Sequence, residues 1–140
     1  MITSPSFAEN LAQHNPYQSN APRVLCVCSV GMLRSPTLAN ELHKNYGYNT
    51  RSCGVLDTHA LVPISSALIR WADEIVFMDF SSYEDLKSSE DAVDELERAK
   101  AFGTVVYILS IPDSYNWNDK ELRDISVLQY LEKRKYSDME

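Results

Sequence analysis

The sequence predicts an α/β fold: a three-layer domain in which a four-stranded parallel sheet is flanked by helices on both faces. Two observations carry this. Short apolar runs near 24–28, 74–78 and 104–109, and a short strand reading at 49–54, alternate with segments whose apolar residues recur at helical spacing. Strand and helix in strict alternation imply parallel pairing with crossover helices. The run Ile75-Val76-Phe77-Met78 is also continuously apolar, as a strand covered on both faces must be. With 140 residues, the chain is long enough to bury one core without staples.

The elements follow in order. Residues 1–22 form an N-terminal extension rich in Ser, Asn, Gln and Pro, with the domain proper at 23–140. Phe7 to Ala12 has the makings of one helical turn, and Pro16 and Pro22 stop anything longer. The extension is either a flexible tail or a segment docking beside the site through Phe7, His14 or Tyr17. A first strand ends at Cys28. The helix after it spans 36–46, opened by Pro36, with Leu38, Ala39, Leu42 and Tyr46 inward and Gly47 as its stop. Pro63 opens a helix to 72 with a stripe of Ile64, Ala67, Leu68 and Trp71. Asp79 ends the third strand, and Ser82 with Asp85 resembles a capping box. Ser88 or Ser89 caps an acidic-faced helix that Gly103 closes. A loop over 110–118 precedes the last helix, whose inward stripe is Leu122, Ile125, Leu128 and Leu131, with a polar tail from Lys135.

Composition narrows the classes. A net charge of −7 argues against a general nucleic-acid or acidic-membrane surface, though a local cradle can still hold an anion. No apolar run is long enough to cross a bilayer, and the N-terminus lacks a signal-peptide pattern. Three cysteines without repeated spacing argue for a reducing, cytoplasmic setting. No Cys/His spacing matches a zinc site, so no metal or cofactor is expected.

The candidate chemistry lies in Val24-Leu25-Cys26-Val27-Cys28-Ser29-Val30-Gly31-Met32-Leu33-Arg34-Ser35-Pro36, a strand, a tight turn and a helix start. A loop closing onto a helix N-terminus turns its amides inward and forms an anion cradle. The amides of Ser29, Val30, Gly31, Met32, Leu33, Arg34 and Ser35 would line it, with Cys28 at its floor. Arg34 adds a planar, two-pronged phosphate donor. Amides, helix dipole and Arg34 all favour a thiolate there. In parallel sheets the ligand site lies beyond the carboxyl ends of the strands. Cys28, Asp79 and Asp113 all fall at that edge.

These residues resemble the low-molecular-weight protein tyrosine phosphatase family. The matching positions are Val24-Leu25, Val27-Cys28, Arg34-Ser35-Pro36, Arg51-Ser52 with Gly54, Ala72-Asp73, and Ile111-Pro112-Asp113 with Tyr115, in the family's order over 23–131. The resemblance implies a phosphatase whose nucleophile is Cys28, with Arg34 binding phosphate and Ser35 hydrogen-bonding the sulfur. It implies that Asp113 is the general acid, that Tyr115 walls the cleft, and that Asp79 is a buried aspartate holding the framework. Tyr115 and Trp117 beside the acid favour an aryl phosphate, since flat rings stack a phenol; Trp71 or Tyr46 is a further candidate wall. The expected partner is a phosphorylated protein or a small aryl phosphate.

The sequence also departs from the family. Gly31 replaces the usual Asn, which keeps the backbone conformation accessible and removes a hydrogen-bonding network. Leu33 stands where a second loop cysteine is common, and Ser114 replaces the proline after the acid. Met32 stands where phosphoarginine-directed relatives carry Thr, which disfavours that substrate. Asp119 is a competing acid. Two other functions remain open: a catalytically weak module binding a phosphorylated ligand, and an arsenate reductase-like protein, whose chemistry needs two further cysteines where Cys53 is followed by none.

Overall fold

The computed structural model describes residues 12–13, 21–29, 34–55, 60, 62–112, 114 and 119–138. Its strands are β1 (Ala12–Gln13), β2 (Arg23–Cys28), β3 (Asn49–Gly54), β4 (Glu74–Phe77) and β5 (Val105–Ile108). Its helices are α1 (Arg34–Tyr46), α2 (Ser66–Trp71), α3 (Phe80–Leu86), α4 (Glu90–Ala101) and α5 (Lys120–Asp138). The sheet order is β1-β3-β2-β4-β5. The four long strands are parallel, as the sequence predicts. β1 is an addition, antiparallel on the outer edge of β3 and pairing Ala12 with Arg51 and Gln13 with Thr50.

Side chains of β2 and β4 alternate between two cores, the period-two consequence of the pleat. Val24, Cys26, Cys28, Val76 and Met78 face one core, where Leu38, Leu42, Leu122 and Tyr130 cover them from α1 and α5. Leu25, Val27, Ile75 and Phe77 face the other, under Ile69, Leu86 and Leu96 from α2, α3 and α4. Both faces of the sheet are thus covered, which is why β4 carries no polar residue after Glu74.

Helix starts follow local chemistry. Ser65, Asp79 and Ser89 cap α2, α3 and α4, accepting from the amides of Leu68, Ser82 and Ala92. The cap of α3 is therefore Asp79 and not Ser82. α1 ends at Gly47, whose φ of 70° a side chain would resist.

Several boundaries differ from expectation. α1 begins at Arg34, so Pro36 sits third in the first turn, where its missing N–H still costs nothing. Pro63 opens no helix; it bridges Gly54 in parallel fashion, and α2 starts at Ser66. The buried residue of α2 is Ile69, while Ala67 is exposed. On α5 the inward line is Leu122, Ser126 and Tyr130, spaced by four; Leu128 is 58% and Leu131 37% exposed. A three-residue step drifts off the helix face by about 60° per step, and the sequence stripe followed that drift. α5 also continues through Lys135 to Asp138.

Candidate active site

In sheet order the chain steps from β2 outward to β3 and then back across β2 to β4. The β2–β4 junction is a topological switch point, where crossovers depart to opposite faces and leave a crevice beyond the strand ends. Cys28 is the last residue of β2. Its carbonyl accepts the Val55 amide at 3.0 Å, which ties the end of β2 to the exit of β3. On the other side the Met78 amide donates to the Val27 carbonyl at 2.8 Å, setting Met78 and Asp79 beside Cys28 and Ser29.

Cys28 Sγ lies 3.1 Å from Ser35 Oγ, both buried. Arg34, at the first position of α1, is 4% exposed. Its Nη1 donates to Asp79 Oδ2 at 2.6 Å and to the Ile111 carbonyl at 2.9 Å. These two contacts fix the plane of the guanidinium. Asp79 Oδ1 accepts from the Ser82 amide at 2.8 Å and from the Ser82 hydroxyl at 2.7 Å. One carboxylate thus starts α3 with one oxygen and holds Arg34 with the other. Partial burial opposes ionisation of Asp79, but hydrogen bonds from Arg34 and Ser82 outweigh it and hold the pKa below its ordinary value.

Cys28, Arg34, Ser35 and Asp79 thus meet at one edge of the sheet. Ser29 follows Cys28 there and is half-buried. Val30, Gly31, Met32, Leu33, Asp113, Tyr115 and Trp117 lie outside the described residues, as do Phe7, His14 and Tyr17. The Ile111 carbonyl on Arg34 stands two residues before Asp113. Asp119 is occupied at the start of α5, where Oδ1 accepts the Glu121 amide at 2.8 Å. The remaining thiols are interior. Cys26 and Cys53 are fully buried, and burial pushes both thiols well up. Cys53 faces the core on the opposite side of the sheet from Cys28.

Two aromatic candidates stand elsewhere. Tyr46 ends α1, about 18 Å of helical rise from Arg34. Trp71 is half-buried, and the Arg51 guanidinium lies over its ring, 4.5 Å from the centroid. A cavity of about 220 Å³ lined by Val55, Ile64, Ser65, Asp85, Leu86 and Ser89 opens under the other face and includes none of Cys28, Arg34, Ser35 and Asp79. Sequence reasoning missed the Ile111 carbonyl and Ser82. A backbone carbonyl carries no residue signal, but Ser82 stands at the i+3 position that a capping Asp79 requires.

The fold is that of the low-molecular-weight tyrosine phosphatases. The tyrosine phosphatase Wzb from Escherichia coli K30, solved with phosphate, is similar with a TM-score of 0.54 at 18% identity, over 85% of this chain and 98% of that one. The YwlE arginine phosphatase from Geobacillus stearothermophilus is similar with a TM-score of 0.55 at 19% identity, over 84% and 96%. Wzb from Vibrio vulnificus, solved with benzylphosphonate, gives 0.51 at 17% identity, over 86% and 100%. No protein-family model and no curated protein sequence matches the chain.

Proposed function

We propose that the protein is a cysteine-dependent phosphatase that hydrolyses phosphotyrosine or another aryl phosphate monoester. The observation that carries this reading is the meeting of Cys28, Ser35, Arg34 and Asp79 at the switch point of a phosphatase fold. In the first step Cys28 Sγ attacks phosphorus in line. The bond to the aryl oxygen breaks as Asp113 gives that oxygen its proton. Arg34 and the amides of Ser29 to Ser35 hold the equatorial oxygens, more tightly in the transition state than before it. In the second step Asp113 takes a proton from water. The water attacks phosphorus, the S–P bond breaks, and phosphate leaves with the thiolate restored.

The Ser35 hydroxyl steadies the sulfur from 3.1 Å. Asp79, ionised at neutral pH, keeps Arg34 aimed. Cys53, buried in the opposite core, is badly placed to relay a disulfide, which weakens an arsenate reductase reading.

The test is hydrolysis of an aryl phosphate from pH 5 to 8 by the wild type, Cys28→Ser and Asp113→Asn, with phosphoarginine as a competing substrate. The expected result is loss of turnover in Cys28→Ser. Asp113→Asn should show a fall of about 10²–10⁴-fold with phosphate or vanadate binding retained. Binding without turnover by the wild type across that range would replace this reading with the phosphate-ligand binding module.

A further inference from the structure

Beyond Asp79 the carboxyl edge carries a residue that the phosphatase chemistry does not use. Phe80 is the first residue of α3 and is 59% exposed. Its ring is held from below. Tyr83, half-buried, lies 6.0 Å from it centroid to centroid, and Tyr83 in turn meets buried Phe77 edge-on at 5.3 Å. Lys87 Nζ sits 4.4 Å from the Tyr83 ring centroid. Phe77, Tyr83 and Phe80 thus form a run of ring contacts, one edge-on and one tilted, that climbs from the core opposite Cys28 to the rim and limits the freedom of the outermost ring. Asp79, immediately before Phe80, holds Arg34. Strands stand about 4.8 Å apart and each residue advances a chain by at most about 3.8 Å, so Phe80 Cα lies within about 12 Å of Cys28 Cα.

We propose that Phe80 is a specificity-determining residue: its ring, braced by Tyr83 at the rim beside the Arg34–Asp79 pair, contacts the aromatic group of a substrate whose phosphate occupies the site at Cys28. This rests on the phosphatase reading for the place of the phosphate. A preordered ring loses little freedom on binding and offers a face or an edge to a flat leaving group. An alkyl phosphate gains nothing from it. Preference for aryl over alkyl ligands then resides partly in α3.

Titration of wild type, Phe80→Ala and Phe80→Trp with phenylphosphonate and methylphosphonate by calorimetry needs no turnover and separates the two readings. The wild type is expected to favour phenylphosphonate. Phe80→Ala should weaken phenylphosphonate about three- to tenfold, the range of one aromatic contact, and leave methylphosphonate and the melting temperature unchanged. Phe80→Trp should retain the preference. If Phe80→Ala keeps the wild-type ratio, or if both ligands weaken equally, the role of Phe80 is overturned while the anion site stands. The same follows if the wild type shows no phenyl preference. If the wild type binds neither phosphonate, the site reading falls and takes the proposal with it.

Discussion

At the amino end of the central strands, Arg134 from α5 lies 3.6 Å from Glu74 Oε2 and donates to the hydroxyls of Tyr48 and Tyr130. The Tyr130 hydroxyl gives its own proton to Glu74 Oε1 at 2.7 Å. At the carboxyl end, Arg34 from α1 reaches Asp79 at 2.6 Å, and hydroxyls from Ser35 and Ser82 flank the sulfur and the carboxylate. Both ends use one arginine, one carboxylate and two hydroxyls. The amino-end group spans β4, α5 and the turn after α1, and its partners satisfy one another. It clamps the last helix onto the sheet. The carboxyl-end group stands where crossovers diverge, beside an oriented sulfur, and part of its bonding holds an arginine in a fixed plane. Residue type does not separate a clamp from a site here; position in the topology does.

The sharpest way to break this contrast is to remove each arginine. Arg34→Ala should lower aryl phosphate turnover by at least about 10²–10³-fold, the scale of a lost transition-state donor. Arg134→Ala should leave turnover within about twofold, since nothing links it to the transferred group. Comparable losses of kcat/KM in both variants would dissolve the distinction.

Asp79→Asn should act next. It keeps an acceptor for Ser82 but loses the charge on Arg34, and turnover should fall about tenfold, with kcat affected more than binding of phosphate. The folded pKa of Asp79 is lowered, so its contribution to stability is complete above the ordinary value of 3.8 and is lost as pH falls through the lower folded value. Acid unfolding monitored by circular dichroism should therefore be less steep in Asp79→Asn than in the wild type.

Tyr130→Phe tests the amino end alone. It should cost about 1–3 kcal/mol in denaturant unfolding, because buried Glu74 loses the phenol that donates to its Oε1. Burial and the neighbouring Glu74 push the Tyr130 pKa well above its ordinary 10.0. The protonated phenol then stabilises the fold below pH 10, and that stabilisation drains away as pH rises further. Alkaline unfolding should be less steep in Tyr130→Phe, with turnover unchanged.

The smallest effect concerns the thiols. Native protein treated with iodoacetamide should be alkylated at Cys28 alone, and vanadate should slow it, because Cys26 and Cys53 are fully buried and held as thiols. Labelling of Cys53 at a similar rate would contradict its placement in the opposite core.

The same comparison explains what the sequence made legible. Cys28, Arg34 and Ser35 lie within eight residues, so strand, turn and helix start could be read as one unit, and parallel pairing brought Asp79 to the same edge. The amino-end group joins residues up to 86 apart in sequence, and no local period announces it. Tyr130, fully buried, falls off the three-residue spacing of Leu122, Ile125, Leu128 and Leu131. Strand β1 was hidden for a related reason. Two residues carry no alternation, and their pairing depends on an edge that exists only once β3 has formed.

That edge has a further consequence. An uncovered strand offers a row of N–H and C=O groups to any chain of matching pitch, and edge-to-edge joining of sheets begins there. By pairing with Thr50 and Arg51, β1 covers that stretch of the outer side of β3 and leaves a border strand only two residues long, too short to template much of a neighbour. A short edge of this kind is a colloidal feature as much as an architectural one, since short edge strands disfavour joining of neighbouring copies.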